Sequence, residues 1–461
     1  MALGAMLVAG AVPASAKSQV DFSGVYKTYM IGSWNSAFDK KDGPDYDSDF
    51  FLADRLQLDF GFNATDEVSV YWRLRAPSDN RWGNSNSAVT SKYYFGEIKQ
   101  DWGTLSLGRL KDSYSNLGLA SLGYAPAGPD VSATYIGPFD YDNAFSGVRY
   151  ANRTDGGFQM AAAILRLGTK QHPGDGSLLG KELHDETTDL YVIEPAFFFD
   201  NGGASFGIHY LRDHSGTYKT AAPDKPAYTE YSLNPAVVYN MGDLSIHFEA
   251  KAGFGKSQVD FGAEENKNSG YAGYLDFDYN YGPGNAALAM WYASGPGDEN
   301  GDKAKGTVGF EKFTPLLVAY GANEAPIDWY GPPVPSIGKN NYAPLNVVQI
   351  ANFNSAPLTP GAQGAQADAN HWAAALLGAH AFSDDLTMTY ALGYLNLVKV
   401  KPGAKKQIGT ELDLGLQIQL LDNLSLGSTV GYLMAGDALK DASGEKPDPA
   451  YTWYSTLIFS F

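Results

Sequence analysis

The stretch Asp54–Phe62, DRLQLDFGF, places Leu56, Leu58, Phe60 and Phe62 on one side of an extended chain and Arg55, Gln57, Asp59 and Gly61 on the other. A period of two with one apolar and one polar face marks a strand covered on one side only. The pattern recurs along the chain. VSVYWRLR opposes Val68, Val70, Trp72 and Leu74 to Ser69, Tyr71, Arg73 and Arg75. LSIHFEAK opposes Leu244, Ile246 and Phe248 to Ser245, His247 and Glu249, and ELDLGLQIQL opposes Leu412, Leu414, Leu416, Ile418 and Leu420 to Glu411, Asp413, Gln417 and Gln419. Such runs are about 9–13 residues long, against the five or six usual in a soluble sheet, and match the roughly 9–11 that a tilted strand needs to cross a bilayer.

Connections alternate in length as well. Short ones rich in Asp, Asn and Gly lie near residues 64–67, 101–103, 154–157, 200–203, 240–243, 281–284, 383–385 and 421–423. Long ones lie near residues 33–49, 76–90, 110–143, 169–186, 213–228, 254–268, 295–370, 399–407 and 437–450. Short turns at one end and long loops at the other predict an all-β fold, a transmembrane antiparallel up-and-down β-barrel of about 18 strands, with 16 the alternative. The short turns would be periplasmic and the long loops extracellular. The terminal run YTWYSTLIFSF puts Tyr451, Trp453, Leu457, Phe459 and Phe461 on one face, as an interfacial aromatic girdle requires.

Composition narrows the function. The chain has 461 residues, no cysteine and a formal charge of −18. The absence of cysteine excludes disulfides, thiolate metal sites and cysteine nucleophiles. An acidic balance argues against a nucleic-acid partner, which needs clustered cations. The run ALGAMLVAGAVPASA is too short to span a membrane and ends in Ala14-Ser15-Ala16 before Lys17. It predicts a signal peptide over residues 1–16, leaving residues 17–461 as one barrel domain. The expected location is the outer membrane, with lipid and lipopolysaccharide as surroundings.

No catalytic constellation emerges, so no enzyme is expected. GASFG, Gly203–Gly207, fits a hydrolase pattern, but alternation continues through Ser205, and His209 lies roughly 13 Å along the strand. No organic cofactor is indicated. Asp45, Asp47 and Asp49 at alternate positions would suit calcium, as would Asp298, Asn300 and Asp302, yet neither has the glycine and glutamate of a complete loop; solvated outer loops are the plainer reading.

If the apolar parity meets lipid, the early strands present Lys27, Arg55, Arg73, Arg75 and Arg149 to the lumen, and later ones Glu249, Asp276, Asp278, Glu411 and Asp413. Strands far apart in sequence would then oppose a basic wall to acidic groups, a transverse field that favours small dipolar solutes. Arg109 shares parity with Leu105 and Leu107 and reaches the lumen only if Gly108 bends the strand end.

YFGEIKQDWGTLSLGR, Tyr94–Arg109, resembles the hairpin of Gram-negative general porins: an aromatic, G-x-K-like spacing, a turn ending in Gly, and a strand closing on Gly-Arg. FSGVRYANRTDGGFQMAAAI, Phe145–Ile164, is similar to the hairpin that follows in that family, and a terminal phenylalanine to its assembly signal. The resemblance implies a homotrimer passing small hydrophilic solutes, and a constriction loop over residues 110–143. Asp112, Asp130, Asp140 and Asp142 are the acids of that loop. A substrate-specific channel and a structural or adhesive barrel with a closed lumen are the alternatives. The long loop 295–370, rich in Pro, Gly, Asn and Ala, would cap the mouth, fold into the lumen or hide an extra hairpin.

Overall fold

The computed structural model describes residues 19–34, 48–81, 89–110, 146–153, 157–169, 187–213, 228–257, 266–294, 316, 371–400, 405–439 and 448–461. The strands are β1 (Gln19–Trp34), β2 (Ser48–Asn63), β3 (Val68–Arg81), β4 (Thr90–Gln100), β5 (Gly103–Arg109) and β6 (Ser146–Arg153). They continue as β7 (Phe158–Thr169), β8 (Thr187–Phe199), β9 (Gly202–Asp213), β10 (Tyr228–Met241), β11 (Leu244–Ser257) and β12 (Asn266–Asn280). The last six are β13 (Gly284–Ala293), β14 (His371–Ser383), β15 (Leu386–Leu397), β16 (Gln407–Leu421), β17 (Leu424–Ala435) and β18 (Ala450–Ser460).

Each strand pairs antiparallel with the next, and β1 pairs with both β2 and β18, so the 18-stranded sheet closes on itself. Closure removes the free edges that would otherwise expose unpaired backbone groups to hydrocarbon. The eight short connections fall where the Asp/Asn/Gly clusters sit. Several strands run further toward the long-loop end than alternation suggests: β3 continues to Arg81 and β11 to Ser257. There the period of two fades in the sequence while the backbone ladder persists.

The outer surface carries an aromatic ring at each end. Phe22–Phe60, Trp102–Tyr150, Phe158–Phe197 and Phe199–Tyr239 pair at the short-turn end. Phe50–Trp453, Tyr191–Tyr210, Tyr210–Tyr231, Tyr271–Tyr292, Trp372–Tyr394 and Tyr432–Tyr451 pair at the other. Tyr191 and Phe199 mark the two rings on β8, about 27 Å apart along the strand, or about 20 Å normal to the membrane at the usual tilt. Between the rings lie exposed Ile193, Ile208, Leu288, Leu392 and Leu414. An apolar belt of that height between two girdles is the lipid-facing surface of an outer-membrane barrel.

The inner surface differs from expectation on one side. From β13 to β17 it is apolar too, with Ala289, Trp291, Ala373, Ala375, Leu377, Ala391, Leu395, Leu397 and Leu433 buried in one cluster. Leu316 belongs to that cluster and is fully buried. It sits against inward-facing Gly393, where a Cβ would come within 2.5 Å of its Cδ1. At this residue the long connection between β13 and β14 lies inside the barrel; its other residues fall outside those described.

Candidate functional site

The inward parity of β1–β6 collects the predicted basic residues. Lys27 and Arg55, cross-strand partners on β1 and β2, are buried, and the Arg55 guanidinium carbon lies 6.0 Å from the centre of the Tyr29 ring. Arg73 forks onto a carboxylate: its Nε donates to Asp59 Oδ1 over 2.5 Å and its Nη2 to Oδ2 over 3.0 Å. The Tyr93 hydroxyl donates to the same Asp59 over 3.0 Å, and the guanidinium packs over the Tyr93 ring at 4.8 Å. Arg75 Nη2 reaches Gln57 Oε1 at 3.5 Å. Arg149 is half-buried and stands opposite inward-facing Ser106 and Ala163.

Arg109 departs from this set. Its ladder partner is Tyr94, which is 52 % exposed on the lipid-facing parity. Gly108 does take a positive φ of 127°, a conformation that glycine adopts without a Cβ penalty. The register nonetheless leaves Arg109 at the outer rim rather than on the lumen face.

A second polar arc covers β8–β12 and contains charges of both signs. Glu194 Oε1 and His209 Nε2 are 2.9 Å apart, both almost wholly buried. Lys251 Nζ and Glu230 Oε1 are also 2.9 Å apart and buried. His247 Nδ1 is 3.3 Å from Asp276 Oδ2, and its Nε2 is 2.7 Å from Glu249 Oε1, a close contact outside hydrogen-bond alignment. Asp278 accepts two hydrogen bonds from Asn285 Nδ2, at 3.1 and 3.3 Å. Burial makes each such pair costly to break, because the remaining charge keeps its desolvation penalty. Below the neighbouring apolar arc, at the short-turn ends of β12–β16, Asn280, Asn285, Asp385, Thr387, Gln417 and Gln419 line a polar cavity of about 390 Å³.

Closure of the ring decides which charges face each other. Nine of the ring's eighteen steps separate β2 from β11 and β3 from β12, so Arg55, Arg73 and Arg75 stand across the lumen from Glu249, Asp276 and Asp278. Glu411 and Asp413 do not belong to that opposing wall. Their strand, β16, lies only three steps from β1 because β18 joins β1. They are fully buried within the apolar arc, beside the basic strands. Distance in sequence is thus a poor guide to distance around a closed ring.

Sequence reading passed over Glu194, His209, Glu230 and Lys251 as site residues, and took His247 only as a polar-face residue. Counting outward from the Asp200-Asn201 turn puts His209 opposite Val192, one inward step from Glu194. That count is the signal that would have found the pair. Asp112, Asp130, Asp140 and Asp142 lie outside the described residues, as do Asp45 and Asp47, the side chain of Asp49, and residues 1–16. Among the described residues no group of three or more His, Asp or Glu side chains is arranged to hold a metal ion.

No family model matches the chain, and no curated protein sequence matches it. Solved structures do. The Pseudomonas aeruginosa protein OccK5 (OpdH) is 11% identical, with a TM-score of 0.51 over 96% of this chain and 98% of that one. OccK8 (OprE) of the same organism is 11% identical, with a TM-score of 0.50 over 96% and 98%. OccK2 (OpdF), solved in complex with glucuronate, is 11% identical, with a TM-score of 0.50 over 96% of each chain. At that identity the likeness is one of fold: these proteins share the closed antiparallel β-barrel architecture of this chain.

Proposed function

We propose that the protein is an outer-membrane channel through which small hydrophilic solutes and ions diffuse passively. The observation that carries this reading is the opposition of charge across the ring, basic on β2 and β3 and carboxylate-rich on β11 and β12. Fixed charges facing each other over a narrow lumen orient dipolar solutes and retard apolar ones without any covalent step. The hairpin resemblance of Tyr94–Arg109 supports a trimeric general porin. The outer face of β17, β18, β1 and β2 supports such an assembly as well. There Ser428 is hydrogen-bonded to Trp453 and Ser455, and Tyr26 donates to Asp54, all on the parity that elsewhere meets lipid. Polar pairs at that depth suit protein contact better than hydrocarbon.

A second reading, a channel selective for a small anion, is favoured by the burial of many inward side chains and by Leu316 against Gly393, which together narrow the lumen. The positive charge of the inward basic arc suits a carboxylate such as the uronate held by the similar barrel OccK2. Single-channel conductance in a planar bilayer separates the two. Large ohmic steps in groups of three, unaffected by millimolar glucuronate, are expected of the general porin. Small steps blocked saturably by an organic anion would replace it with the selective channel, and no conductance would sink both.

A further inference from the structure

Beneath the apolar arc the inner wall turns polar again, and the cavity there has a chemistry that the basic and mixed arcs lack. It runs along the short-turn ends of β12–β16, four steps of the ring or about 19 Å along the wall at the usual strand spacing. At its β13 end Asn285 is pinned: Nδ2 donates to Asp278, and Oδ1 accepts the Ala379 N–H over 3.1 Å. Gln419 is held too, with Nε2 donating to the Leu421 carbonyl over 2.5 Å. Among the described residues, in contrast, no side-chain hydrogen bond engages Asn280, Thr387 or Gln417, although Thr387 and Gln417 are half-buried ladder partners. The small side chains of Ala379 and Ala381 leave the space between these groups open. No lysine or arginine lines the cavity, and its two carboxylates, Asp384 and Asp385, are exposed in the turn where water and salt screen them.

We infer that this trough binds a short uncharged oligosaccharide. A sugar hydroxyl both donates and accepts, and so do the amides of Asn280 and Gln417 and the hydroxyl of Thr387, which are otherwise idle. The length of the trough exceeds a single sugar ring, and its volume of about 390 Å³ is that of a small-molecule site. An anion fits poorly, because the lining offers it no cation and sets two acids at the entrance. The site is thus distinct in chemistry from the basic arc of β1–β6, where a carboxylate would be drawn. That the saccharide passes onward rests on the channel reading; that it binds does not.

Saturation-transfer NMR of the full-length barrel in detergent reads binding whether or not the protein conducts. Maltotriose is the probe, with trigalacturonate and the glucosamine trimer as anionic and cationic counterparts of like length. Maltotriose is expected to bind saturably, and trigalacturonate at least about tenfold more weakly. Asn280→Ala/Gln417→Ala is expected to weaken maltotriose binding about tenfold. Thr387→Val keeps the shape of the side chain and should weaken it about threefold, carrying the test alone if the double variant fails to fold. Equal binding of trigalacturonate, tighter binding of the glucosamine trimer, or unchanged maltotriose binding in the variants overturns the proposal. No maltotriose binding to a barrel that conducts removes the site and leaves the channel. Binding to a barrel that does not conduct keeps the site and removes the channel.

Discussion

Gly207 faces inward between Glu194 and Asn234, and a Cβ built there would lie 2.9 Å from His209 Nε2 and 3.3 Å from Glu194 Oε1. The glycine leaves room for the buried pair. Gly207→Leu is therefore expected to destabilise the barrel by about 1–3 kcal/mol from overpacking, more if it separates the histidine from its carboxylate. The temperature at which the folded band is lost in heat-modified electrophoresis reads this, and an unchanged transition would mean that the pair relaxes at no cost. Individual lumen residues were legible where alternation was clean. Arg73 and Arg75 follow directly from VSVYWRLR. What alternation cannot supply is the partner of each charge: Asp59 beside Arg73 and Glu230 beside Lys251 depend on cross-strand register, a property of two strands at once.

At the level of single strands, Pro195 in β8 and Pro235 in β10 sit inside the sheet, where loss of an N–H donor should open the ladder. It does: β8–β9 pairing skips Glu194 and Pro195, and β10–β11 pairing skips Asn234 and Pro235. Both gaps flank the fully buried inward side chains Glu194 and Asn234. β14, HWAAALLGAHAFS, shows the limit of pattern reading, since its inner face packs on the apolar arc and no period of two survives. The last strand is clearer. Phe461 exchanges two backbone hydrogen bonds with Gly24, at 2.7 and 2.9 Å, and its ring meets Phe22 and Phe459. Deleting Phe461 removes both bonds and both ring contacts, a loss of about 2–4 kcal/mol at the seam. Urea unfolding in detergent should shift to lower concentration accordingly; an unshifted midpoint would assign the seam's strength to the β1–β18 ladder alone.

Over the whole molecule, the formal charge of −18 does not set the sign of the permeant ion, because the lumen's own basic arc faces its carboxylates. Arg75→Gln combined with Arg149→Gln should raise the cation-to-anion permeability ratio roughly two- to fivefold, read as a reversal-potential shift under a salt gradient. No shift would mean that these arginines lie out of the conducting path. The barrel, its strand count of about 18 and the alternation of short and long connections were readable in the sequence, as was a girdle in the terminal strand. The division of the inner surface into basic, mixed and apolar arcs was not, because it arises only when the ring closes and brings β16 within three steps of β1.

That closure also has a cost in time. Val25 finds its partner in Ser460, almost the whole chain away, so one edge of the first strand stays unmatched until the last strand is in place. Contacts of such long range form slowly, and meanwhile the growing sheet keeps two bare edges, each a template for a stray strand. Assembly of this protein therefore passes through a stage in which both edges are exposed, and that stage ends only when the C-terminal strand completes the wall.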